Sequence, residues 1–167
     1  VWASLLPAFC FSLNPIAAYE RLIQSTRFIY VPLIYGYVTY ARGEKPGRID
    51  FGDIPGLGGS TLGGTGIAVS ARSAHADAAV AMAIDLASSK VQSGVYASAG
   101  GQPAHRGAWN NQIVNLEANG FYRKTLSTLE SSYLRPRFDG YIAFQQSAGE
   151  MIVACMRGDA TVESTID

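Results

Sequence analysis

Residues 54–88 read IPGLGGSTLGGTGIAVSARSAHADAAVAMAIDLAS, and the fold class turns on how this stretch is divided. Its glycine-rich part, Gly56 to Gly66, leads into Ile67-Ala68-Val69, a short apolar run that suits a buried strand. A helix is expected soon after. Ser73 is a good N-cap, and Asp77 puts a carboxylate in the first turn, where the helix dipole favours it. Ala76, Ala79, Val80, Ala83, Ile84 and Ala87 recur at helical spacing. The expectation is a central strand at 67–69, with the helix packed on a sheet through its alanine face.

The loop matches neither GxxxxGK[ST] nor GxGxxG, and a strand rather than a helix is expected to follow it. Two readings stay open. The glycines supply positive φ in a tight turn, or Gly63 and Gly64 bring bare backbone N–H groups against a polar ligand.

Working towards the N-terminus, Arg48–Asp53 alternates polar and apolar residues like a short strand, and residues 41–47 form a charged turn. Residues 28–40, FIYVPLIYGYVTY, are strongly β in composition. Pro32 suggests an edge and Gly36 a bulge or close approach. Tyr35 and Tyr37 flank Gly36; each is core or offers a face for a sugar. Asn14-Pro15 starts a helix ending near Ser25. Residues 1–13 suit buried strand or loop.

Towards the C-terminus, a short helical turn ends at Gly100-Gly101, followed by a loop holding His105. Arg106 and Trp109 either grip a hydroxylated ligand or form a surface ion pair and a buried indole. Asn119-Gly120 separates two helices. Arg135-Pro136-Arg137 breaks the chain before its longest helix, about 138–156, which Gly158 ends. Thr161 caps a final helix.

The chain has 167 residues, 13 basic and 13 acidic, so no basic excess points to nucleic acid. Charged residues make up 16% and hydrophobic ones 48%, a composition that predicts a partly covered surface and self-association. Cys10 and Cys155 form one disulfide or remain thiols. No GxSxG, HExxH, CxxC or calcium-loop pattern occurs, so no catalytic, metal or cofactor residue is named.

The run GG-T-G-IAVS-ARSAHADAAVAMAIDLAS, followed by AGGQPAHRGAW, resembles the C-terminal half of the extracellular solute-binding proteins of sugar ABC importers. Gly63-Gly64 match that family's Gly-Gly. Ser73, His75, Ala78 and Ala79 match its helix-opening pattern, with Ala74 where lysine is usual. Gly100, Gly101, Pro103 and Arg106 match its Gly-x-Pro turn. The resemblance implies a helix-rich α/β C-terminal lobe of the type II periplasmic-binding fold, with a small mixed sheet, spanning residues 1–167. The N-terminal lobe and leader would lie outside this chain.

It further implies binding of a carbohydrate or polyol between two lobes, delivery to the permease of an ABC transporter, and a periplasmic or cell-surface lipoprotein location. Neither enzymatic activity nor a cofactor is implied. Gly63 and Gly64 would approach ligand, and Arg135 or Arg137 falls where some members carry a ligand-contacting arginine. Thr65 and Gln102 stand where many relatives have aromatics, which removes stacking surface. The alternative is a sugar- or nucleotide-processing enzyme with the glycine loop as its anion site. A helix starting directly at Gly66 would favour the enzyme.

Overall fold

The computed structural model describes residues 7–32, 34–43, 47–56 and 59–166. Parts of several sequence expectations therefore lie outside the described residues: 1–6 of the N-terminal segment, Leu33 of the 28–40 stretch, 44–46 of the charged turn, Leu57-Gly58 of the glycine loop, and Asp167 of the final helix.

Helices begin where the caps predict them. Asn14 Oδ1 accepts from Ala17 N–H at 2.8 Å, Pro15 takes the first turn, and α1 runs over Pro15–Gln24 with Ser25 at its end. α2 spans Ala76–Leu86, α3 Ser89–Ser93, α4 Val95–Ser98, α5 Arg106–Asn110 and α6 Gln112–Glu117. Asn119 and Gly120, both at positive φ, turn the chain into α7, Phe121–Glu130. α8, Tyr141–Arg157, is the longest helix and stops at left-handed Gly158. Before α9, Val162–Ile166, Thr161 Oγ1 accepts from Ser164 N–H while Ser164 Oγ accepts from Thr161 N–H, a reciprocal cap.

The expected α/β architecture with a small mixed sheet is not what forms. The chain is 54% helical and 1% strand, and the described residues form no sheet. Residues 28–32, 34–37 and 48–53 form no regular element and pair with no strand among the described residues. Ile67–Val69 forms none either, and Ile67 is 59% exposed, so it is no central strand. α2 consequently has no sheet to cover and buries none of its residues. Ser73 does not cap it: its Oγ accepts from His75 N–H, and His75 holds the N-cap position without a side-chain bond. At the N-terminus, Ala8–Ser12 is a short 3-10 helix in place of a strand.

Side-chain amides supply what a sheet would otherwise provide. Gln102 Oε1 accepts from Val38 N–H at 2.9 Å and its Nε2 donates to Gly36 O at 3.1 Å. Buried Gln92 donates to Leu86 O and accepts from Ala104 N–H. Asn119 Nδ2 donates to Ala41 O. Each satisfies backbone groups that burial would otherwise strand.

The core lies where α4 to α7 meet residues 36–43 and 47–51. Val38, Ala41, Ala97, Trp109, Val114, Phe121 and Tyr122 are buried there, with Phe51, Leu126 and Leu129 against them. Phe51 and Phe121 meet edge to face at 5.0 Å, as do Trp109 and Tyr122 at 5.1 Å, a favoured aromatic geometry. Gly36 is the predicted close approach: a Cβ there would stand 3.0 Å from Phe121 Cζ. Cys10 and Cys155 are both free thiols. Among the described residues no helix is long and apolar enough to cross a membrane.

Candidate functional site

Gly63 and Gly64 are exposed, and neither has a left-handed φ. In this loop positive φ belongs to Gly56 and Gly59. Gly63 is glycine for a different reason. A Cβ on it would lie 3.0 Å from Cε1 of Tyr35, so the Tyr35 ring rests on bare backbone. Around Gly64 a Cβ would meet nothing within 4 Å.

The loop is tied to the end of α7. Tyr133 N–H donates to Ser60 O at 2.7 Å, and Leu62 N–H donates to Tyr133 O at 2.9 Å. This is an isolated parallel bridge, Thr61 to Tyr133. The bridge stands alone, with no pairing carried on to Gly63 or Arg135. Arg135 Nη1 donates to Gln145 Oε1 of α8 at 3.1 Å. Arg137 is exposed, and no hydrogen bond or ion pair holds it among the described residues.

Tyr35 is 43% exposed and its carbonyl accepts from the hydroxyl of buried Tyr19. Tyr37 does not join Tyr35 on the glycines. It packs edge-on against Tyr19, 6.0 Å between centroids, and lines a separate open groove with Ile16, Thr39 and Tyr40. Burial, and then the neighbouring Tyr37 and Tyr40 hydroxyls, push the Tyr19 phenol well above its ordinary range. A hydrogen bond to Glu20 raises Tyr40.

Arg106 and Trp109 sit elsewhere and are otherwise engaged. Arg106 Nη2 pairs with Glu130 Oε1 at 2.6 Å, both side chains well exposed. Trp109 is 6% exposed, and its Nε1 donates to Pro103 O at 2.7 Å. The indole is core, and a groove lined by Ala104, Arg106, Leu126, Leu129 and Glu130 lies beside it. His105 caps α5, its Nδ1 accepting from Gly107 N–H. The structure thus brings Tyr35 onto Gly63, next to Gly64, and leaves Tyr37, Arg106 and Trp109 outside that contact.

Sequence reasoning missed Asn115. It is buried, its Nδ2 donates to Trp109 O and Asn111 O, and its Oδ1 accepts from Arg123 N–H. One amide therefore joins α5, α6 and α7. The signal was present as a polar residue on an otherwise apolar helical face, beside Val114 and Ala118. Among the described residues no cluster of His, Cys, Asp or Glu could hold a metal. Comparison with protein-family models, curated proteins and solved structures gave no match for this chain.

Proposed function

We propose that this chain binds a carbohydrate or polyol as the solute-binding component of an ABC importer. One observation carries the reading: the Tyr35 ring lies against Gly63, with the open backbone of Gly64 next to it. An apolar ring face and unhindered N–H groups are what a hydroxyl-rich ligand needs. Of the motifs that resemble sugar-importer binding proteins, the Gly-Gly falls on these residues, Gly63 and Gly64.

On this reading no bond is made or broken. The ligand is held between this surface and a facing one, and closure around it is presented to the membrane permease outside the cytoplasmic membrane. The ligand shifts the open–closed balance only by its extra affinity for the closed form. The enzyme alternative draws no support from the loop. No helix starts at Gly66; residues outside any regular element and a turn separate it from α2, so the loop does not open directly into a helix N-terminus.

Gly64→Val tests the proposal. Nothing stands within 4 Å of the added Cβ and φ is ordinary, so folding stability should change little. Calorimetry over a panel of neutral sugars and polyols should give a saturable ligand for the parent chain, weakened at least about tenfold by the variant, or about 1.4 kcal/mol. A ligand that binds parent and variant equally places its site elsewhere.

A further inference from the structure

We propose that the groove between α1 and residues 37–40 binds a small alkylammonium cation. Its walls are Ile16, Tyr37, Thr39 and Tyr40, and its volume is about 430 Å³, within the roughly 300–1,000 Å³ of small-ligand clefts. Tyr19 lies beneath them, fully buried. Its ring is 4.7 Å from that of Tyr40 and 6.0 Å from that of Tyr37. The two outer rings are therefore held by a common floor, and little side-chain freedom remains to be lost when a ligand docks.

The lining itself is uncharged, and a carboxylate stands next to it. Ile16 and Glu20 stand four residues apart on one face of α1, so the carboxylate follows directly on the apolar wall. Tyr40 donates its hydroxyl to Glu20 Oε1 at 2.9 Å, which fixes the carboxylate at the rim and uses up the donor of that phenol. No lysine or arginine pairs with Glu20 among the described residues. The nearest guanidinium in sequence, Arg21, lies over the Phe9 ring at 4.0 Å.

Electron-rich ring faces beside an uncompensated carboxylate attract a soft cation. A neutral sugar would find few donors here, since Tyr40 is spent and Thr39 contributes a single hydroxyl. A hard metal ion would find a single carboxylate, too few oxygen ligands to replace its water. This site is independent of the Tyr35–Gly63 surface and stands or falls apart from the carbohydrate reading.

The test is a titration of the intact chain with choline and, separately, with its neutral isostere 3,3-dimethylbutan-1-ol, read from the ring resonances of Tyr37 and Tyr40. Choline should shift both rings saturably and bind at least about fivefold tighter than the isostere. Glu20→Gln should remove that preference while leaving the weak isostere binding in place. Tyr37→Ala should weaken both ligands, with retained dispersion of the Tyr122 ring reporting an intact core. Equal binding of the two probes, a preference that survives Glu20→Gln, or no saturable shift with choline overturns the proposal.

Discussion

Gly59 and Gly63 belong to one loop and answer to different constraints. Gly59 has φ near +93°, and a Cβ there would fall 2.1 Å from the carbonyl oxygen of Ser131. That neighbour is backbone at the end of α7 and cannot swing aside. Gly59→Ala should therefore cost about 2–4 kcal/mol, from the left-handed backbone and the forced shift together, read as a lowered urea midpoint. At Gly63 the obstacle is an exposed tyrosine ring, which can rotate away. Tyr19 adds a pH-dependent contribution at the same scale. Burial raises its phenol, and burial also raises Tyr122, with Arg42 opposing. The unfolded chain, with tyrosines near pKa 10, loses those protons first as pH rises. Their contribution is thus complete below about pH 10 and is lost above it. Tyr19→Phe, which removes the donor to Tyr35 O, should cost about 1 kcal/mol at neutral pH. The gap between the two proteins should narrow as pH rises above about 10. Chemical denaturation at pH 7 and pH 11 checks both signs.

At the scale of elements, the segments that sequence identified correctly carry their own local instructions. Asn14-Pro15, Asn119-Gly120, Gly158 and the Thr161–Ser164 pair each set a helix end within a turn of chain. The misread segments depend on partners far along the chain. Residues 28–40 and 67–69 have strand composition, but β propensity describes a pleated surface that needs neighbours, and helices, loops and amides occupy those places. Gln102 and Gly36 are 66 residues apart, a separation at which no periodicity speaks. The site divides along the same line. Gly63 and Tyr35 were legible as residue types, whereas their contact and the separation of Tyr37 from them follow from the bridge to Tyr133 and from the packing of Tyr19. Gln102→Ala tests the substitution of amide for strand. It leaves the N–H of buried Val38 and the carbonyl of Gly36 without a partner, which should cost about 1–3 kcal/mol. Native-state hydrogen exchange should show the Val38 amide opening faster in the variant.

The whole molecule exposes more surface than its mass requires. A compact monomer of 17.8 kDa should present about 8,000 Å² by the size scaling of folded proteins. This chain presents 12,099 Å². The excess on one chain, about 4,000 Å², is more than the roughly 1,000–2,500 Å² that each partner of a large permanent interface contributes. Much of it is apolar and sits on helices that bury nothing. α8 exposes Ile142 at 71%, Phe144 at 64% and Ile152 at 52%, and α2 exposes Met82 and Ile84 at 64% and 68%. Faces of this kind are rare on free monomers, and a net charge of zero offers no repulsion to keep copies apart. The chain in solution should therefore self-associate, with α8 at the contact. Sedimentation velocity across a rising concentration series should show dimers or larger species. Phe144→Glu combined with Ile152→Glu should shift them towards monomer, because a desolvated carboxylate on each side of an apolar contact costs several kcal/mol. The double substitution lies on an exposed face away from the Trp109–Phe121 core, so far-UV dichroism should stay unchanged. A single monomeric species at every concentration would mean that these faces are stable in water uncovered, and the excess area would then have no bearing on association.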